Sequence, residues 1–149
     1  MAIYRPSTLT LFGLTQSGKA NIWDGSTTTY GSIAAPVGST GTGTIAGFSA
    51  VSVTGTLHCY LSLSAGADGV VSLDYSLDAG STWTNLNSTG SSLTDFTAAI
   101  TSSVIASNIR VRVSLDATSA EMYMGPSAAV YEVWIDTGSQ GKKSAAMCG

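Results

Sequence analysis

Three stretches of the chain alternate apolar and polar residues with a period of two, the spacing of an extended strand that buries one face and wets the other. Residues 56–63 place Leu57, Cys59, Leu61 and Leu63 on one face and His58, Tyr60 and Ser62 on the opposite one. Residues 108–115 put Ile109, Val111, Val113 and Leu115 inward and Arg110 and Arg112 outward. Residues 129–136 form a closing strand: Glu132 and Asp136 mark its polar face, Tyr131, Val133 and Ile135 are assigned to the core, and Trp134 is left outside. Turn-forming residues recur about every eight to twelve positions from 44 to 136, which predicts an all-β fold, an antiparallel β-sandwich of jelly-roll type over 44–137. No segment has a helical period; residues 95–100 come nearest to one helical turn.

Residues 76–83 read Ser-Leu-Asp-Ala-Gly-Ser-Thr-Trp and lie between the strand-like runs 70–75 and 83–86, at a hairpin tip. Asp78 can accept backbone N–H bonds across the turn, and Gly80 supplies a positive φ without a Cβ penalty. The octet fits S-x-D-x-G-x-T-W and resembles the Asp-box, a hairpin that recurs in sialidase-type propellers and in β-sandwich domains. The resemblance implies a structural turn made by Ser76, Asp78, Gly80, Thr82 and Trp83, away from catalytic residues, and implies no activity. A single copy cannot build a propeller, which needs about four or more four-stranded blades. Ser114, Leu115, Asp116, Ala117 and Thr118 echo the opening of the octet without its Gly and Trp, and read as an ordinary strand end.

Both ends read as less regular. Residues 1–43 are expected to form an N-terminal arm with short strands at 8–11 and 20–23, the second pairing with 27–30 across the Asp24-Gly25 hairpin signal. Gly38-Ser39-Thr40-Gly41-Thr42-Gly43 reads as a flexible link. Residues 138–149 read as a short C-terminal tail with little to bury, held by another chain.

Composition narrows the function classes. One core is expected for 149 residues, burying roughly two thirds of the unfolded surface. Charged residues make up 10% of the chain, against about a quarter in an average soluble domain. The surface is therefore neutral and rich in hydroxyls, and lacks the charged coat that keeps sheet edges apart. The net charge of −3 and six scattered cations leave no basic stripe for phosphates, so nucleic acid is not an expected partner. No apolar run approaches the ~20 residues of a membrane span, and Met1 to Pro6 has no signal-peptide core behind it, which reads as the start of a cytoplasmic product. Cys59 reads as a small buried hydrophobe and Cys148 as an exposed thiol, with no disulfide between them.

The lone histidine, His58, has no nucleophile elbow near it, and the carboxylates Asp74, Asp78, Asp116, Glu121, Glu132 and Asp136 read as turn and strand-end chemistry rather than a glycosidase pair. No catalytic residue is assigned. Asp68, Asp74, Asp78 and Asp116 could offer oxygens to calcium, but no Asp-x-Asp-x-Asp-Gly loop occurs, so neither metal nor cofactor is expected. Outward aromatics remain: Trp134, Tyr60 and Trp23 are candidates for a subunit interface or for stacking on a glycan.

The octet hairpin, the 108–115 strand and the closing strand together resemble the sandwich modules of bacteriophage virion structural proteins, over about residues 44–137. The resemblance implies a non-enzymatic virion subunit, made in the host cytoplasm, that serves as a head decoration, neck or tail component. It would assemble through its arms and sandwich faces with other virion proteins and with copies of itself. The alternative is a carbohydrate-binding β-sandwich module that attaches to a surface glycan through its outward aromatics.

Overall fold

The computed structural model describes residues 2–66, 68–118 and 125–137. Within them, eleven strands follow in order: β1 (Ile3–Tyr4), β2 (Thr8–Phe12), β3 (Thr15–Ser17), β4 (Gly31–Ala34), β5 (Thr40–Ala46), β6 (Ser52–Ser64), β7 (Val70–Ser76), β8 (Thr84–Asn87), β9 (Ser91–Ile105), β10 (Arg110–Asp116) and β11 (Ser127–Asp136). The first sheet runs β3-β4-β11-β6-β9, with β1 added to β11; the second runs β2-β5-β10-β7-β8. Every pairing is antiparallel, and the two sheets close on one apolar core, so the chain is an all-β sandwich.

The period-two strands supply that core. Leu57, Cys59, Leu61 and Leu63 of β6 are buried, as are Ile109 and Val111, Val113 and Leu115 of the β10 region. Burial pushes the Cys59 thiol well above the ordinary thiol range, so it stays protonated and behaves as a hydrophobe. In β11 the alternation breaks. Val130 lies opposite Leu61 and Glu132 opposite Tyr60, so Tyr131 is an extra residue in a β-bulge. Ala128, Val130, Val133 and Ile135 then face the core, while Tyr131, expected there, turns to the outer face among other aromatic rings. Glu132 keeps its outer-face position yet is only 3% exposed. Arg5 Nε–H donates to its Oε2 at 2.7 Å and the Gly25 N–H donates to its Oε1 at 3.1 Å. Burial raises the Glu132 carboxyl above its usual range, and these two donors partly offset the rise.

Residues 2–43 are part of the sandwich instead of an arm. β1 pairs with β11, β2 with β5, and β3 with β4, which itself pairs with β11. Residues 20–23, read as a strand, lie in a 3-10 turn over Lys19–Trp23 that buries Ile22 completely. No hairpin forms at Asp24-Gly25, because the Asp24 side chain accepts the Ser26 N–H at 2.9 Å and the Thr29 hydroxyl at 2.6 Å. Those bonds fold the loop on itself and hold the Asp24 carboxyl below its ordinary range, the Thr29 hydroxyl contributing most. The supposed link at 38–43 is mostly strand β5. Its glycines serve close approach: a Cβ on Gly41 would lie 1.8 Å from the Phe12 carbonyl oxygen. Residues 95–100 belong to β9 and form no helical turn. The expectations placed on 138–149, Glu121 and Cys148 lie outside the described residues.

The octet closes the β7–β8 connection with side chains. Ser76 Oγ accepts the Gly80 N–H at 2.9 Å and donates to Asp78 Oδ1 at 2.7 Å. Asp78 in turn accepts the Thr82 N–H at 2.8 Å and the Thr82 hydroxyl at 2.6 Å. Gly80 has φ 90°, and Ala79, a non-glycine residue, has φ 61°. The Thr82 hydroxyl, then the Thr82 N–H and Ser76, pull the Asp78 carboxyl down to about 2. At the other end of the second sheet, Asp116 accepts the Thr118 N–H at 2.9 Å and its hydroxyl at 2.6 Å, the plain strand-end turn expected there.

Two outcomes follow from these contacts. Gly41→Ala should force β5 away from Phe12 and destabilise the fold by about 1–3 kcal/mol, measured as a lower urea midpoint with an unchanged slope. Asp78→Ala should also lower the urea midpoint at neutral pH. The unfolded carboxyl titrates near 3.8 and the folded one near about 2, so between them the unfolded chain holds more protons and acid removes the stabilisation. The gap between wild type and Asp78→Ala should therefore be full above pH ~4 and close as the pH falls toward ~2, a titration read by urea melts at stepped pH.

Candidate ligand-binding face

The outer surface of the first sheet collects aromatic rings along β6 and β11. His58 lies opposite Trp134 in the register, and their rings stack with centroids 4.4 Å apart and planes 3° from parallel. His58 Nδ1 also lies 2.8 Å from Asp95 Oδ2 on the neighbouring β9, which fixes the imidazole plane and, through it, the indole. Two residues along β6, Tyr60 meets the bulged Tyr131 edge-on at 5.8 Å, and Tyr131 meets Tyr30 at 5.0 Å. The result is a run of five rings across β6, β11 and the loop before β4.

Beyond the rings, the same face turns hydroxyl-rich. Tyr30, Ser32, Ser62, Ser64, Ser91 and Ser127 border an open pocket of ≈ 420 Å³. The alternation of β6 carries His58, Tyr60, Ser62 and Ser64 along this surface, a strip about 20 Å long at ~3.3 Å per residue. Ser64 and Ser91 spend their hydroxyls on local bonds. Among the described residues, no hydrogen bond engages the side chains of Ser32, Ser62, Ser127, Tyr30, Tyr60 or Tyr131. Tyr30 is exposed and the other five are half-buried; each hydroxyl can donate once and accept twice, so the face presents a row of uncommitted donors and acceptors beside flat apolar rings.

Of the aromatics picked from the sequence, Tyr60 and Trp134 come together on this face. Trp23 does not; it sits in the 3-10 turn, half-buried against the core. His58, Tyr131, Tyr30 and the serines were not picked. The alternation of residues 56–63 already put His58 beside Tyr60 and Ser62, whereas Tyr131 reaches the face only through the bulge. Ser76, Asp78, Gly80, Thr82 and Trp83 lie on the other sheet, in and beside the hairpin turn.

The carboxylates are occupied locally. Asp74 accepts from Asn85 at 2.9 Å and from Arg112 at 3.2 Å, Asp78 from Ser76 and Thr82, and Glu132 from Arg5 and Gly25. No group of three or more His, Cys, Asp or Glu side chains able to hold a metal ion occurs among the described residues. Nor is any helix among them long and apolar enough to cross a membrane.

No family model matches the chain, and no curated protein does. Solved structures do match. The carbohydrate-binding module TmCBM61, solved in complex with β-1,4-galactotriose, superposes with a TM-score of 0.51 at 10% identity, covering 90% of this chain and 91% of that one. A variant of CBM29-2, a family 29 carbohydrate-binding module, superposes with a TM-score of 0.50 at 11% identity, covering 97% of this chain and all of that one. At such identities the likeness is one of fold: the chain shares its β-sandwich architecture with carbohydrate-binding modules.

Proposed function

We propose that the chain is a non-enzymatic carbohydrate-binding β-sandwich that grips a glycan on the outer face of its first sheet. The observation that carries this reading is the run of Trp134, His58, Tyr60, Tyr131 and Tyr30 beside uncommitted hydroxyls of Ser32, Ser62 and Ser127. A pyranose has a flat face of C–H groups and a rim of hydroxyls. The first packs on aromatic rings and the second exchanges hydrogen bonds with serine and tyrosine, so both halves of the ligand find partners. Tyr131 and Tyr60 set the middle of the platform, Trp134 one end, and His58 with Asp95 holds Trp134 in place. The shared architecture with carbohydrate-binding modules supports the same reading.

The virion-subunit reading rests on the likeness of the octet hairpin and two strands to virion modules, on the neutral hydroxyl-rich surface, and on arms at both ends. The strands of residues 2–43 pair inside their own sandwich, which removes the N-terminal arm from its support and favours the glycan reading. Attachment to a surface glycan remains compatible with a place on a virus particle.

Screening the full chain on a glycan array, followed by calorimetry with the best oligosaccharide, tests the proposal. Trp134→Ala and Tyr60→Ala should each weaken binding about tenfold, the equivalent of ~1.4 kcal/mol, with little change in melting temperature because both rings lie outside the core. Absence of any glycan ligand, or affinity indifferent to both substitutions, would overturn it. Concentration-dependent self-association abolished by the same substitutions would restore the subunit interface.

A further inference from the structure

The opposite face of the sandwich carries a groove of ≈ 400 Å³ that the reading above does not use. It crosses the second sheet from the edge strand β2 to the hairpin turn. Thr8, Thr10 and Phe12 alternate along β2 and so share its outer face, and Thr10 lies opposite Thr44 of β5 in the register. Arg110, at the start of β10, lines the groove next, and Trp83 closes the far side.

Three features mark this groove as a place for a ligand. The hydroxyls of Thr8, Thr10 and Thr44 make no hydrogen bond among the described residues, so a row of donors and acceptors stands idle. Apolar rings bound that row: Phe12 is 68% exposed, and Trp83 is held rigid by the Arg112 guanidinium, 4.0 Å from its centroid. Charge is the third feature. The chain carries a net −3, yet no carboxylate lines the groove, and one of its walls is the cation Arg110.

The two arginines of β10 differ in where they lie: Arg110 lines the groove and Arg112 does not. Arg112 pairs with Asp74 and stacks on the Trp83 ring, and its Nε is buried without a hydrogen-bond partner. Arg110 donates through Nη1 to the Ala79 carbonyl, which anchors it against the turn. A guanidinium has five N–H donors in a planar fork, so one anchoring bond leaves donors for a planar anionic group. Ala79 can present that carbonyl because its φ of 61° turns the backbone, and the Ser76–Asp78–Thr82 network holds it so.

We propose that this groove is a second saccharide site, selective for a sugar bearing an anionic oxygen group, with Arg110 as its charged ligand, the threonines of β2 and β5 as hydroxyl partners, and Phe12 as a stacking ring. The site is independent of the first-sheet face, since the core separates them. It gives the side-chain-locked turn a task beyond stability: aiming Arg110 and Trp83 at the groove.

The test is titration calorimetry of the full chain with trigalacturonate, a sulfated heparin disaccharide and neutral cellotriose, at low and at high salt. Expected is binding of one or both acidic probes, with the two arms separating carboxylate from sulfate. That binding should weaken with salt, weaken about tenfold or more in Arg110→Gln, and weaken several-fold in Phe12→Ala. Phe12→Ala lies on an exposed edge position, so it decides the matter should Arg110→Gln lower the melting temperature. Trp134→Ala should leave acidic-probe binding intact, which separates this site from the first. No affinity for either acidic probe, or affinity lost in Trp134→Ala and kept in Arg110→Gln, would overturn the proposal. Equal affinity for cellotriose, sensitive to Arg110→Gln, would remove the anionic selectivity and overturn it in that form.

Discussion

One bulged residue in β11, with the buried carboxylate next to it, organises much of this molecule. Tyr131 has no opposite number on β6, so the strand changes parity there. The change keeps Ala128, Val130, Val133 and Ile135 all in the core and delivers an additional aromatic ring to the outer face. Glu132, the following residue, then lands where Arg5 and the Gly25 N–H can reach it. A buried carboxylate is costly unless paired and hydrogen-bonded, and here both partners come from the N-terminal segment. That segment is thereby tied to the closing strand, and the loop at 24–25 is pinned beside the aromatic run.

Under the glycan-binding reading proposed above, the low charge of the surface has a physical use. Ionic side chains are strongly hydrated, and a face crowded with them would compete with a neutral ligand for water and for space. Serine, threonine and tyrosine are weaker competitors and still supply donors and acceptors at short range. Both outer faces of the sandwich follow this pattern, rings flanked by idle hydroxyls. They differ in what holds their rings and walls: the first sheet carries His58, hydrogen-bonded to Asp95, against its indole, the second an arginine anchored to a turn carbonyl.

The aromatic platforms are rigid for different reasons. Trp134 is stacked on an imidazole whose plane is set by a carboxylate on the next strand. Trp83 is stacked on a guanidinium that is itself paired with Asp74. In each case a charged or polar side chain orders the ring, which would lower the entropy cost of binding under the readings proposed above.

What could be read from the residues and what could not divides along a physical line. Strict alternation at 56–63 and 108–115 determined which side chains enter the core, because a period of two admits only one face toward it. The octet at 76–83 likewise announced its turn, since Ser76, Asp78, Gly80 and Thr82 bond to one another over at most four positions, a range that local chemistry alone decides. The parity change at Tyr131, the burial of Glu132 and the recruitment of residues 2–43 into both sheets all depend on partners far along the chain: Arg5 reaches across 127 positions, and Ile3 pairs with Asp136. The glycines at 41 and 43 read as part of a flexible link because composition cannot show that Phe12 and Leu11 press against them. The aromatic face has the same origin. His58, Tyr60 and Trp134 were each visible as outward residues, but their assembly into one surface required the β6–β11 register, and only the folded chain sets that.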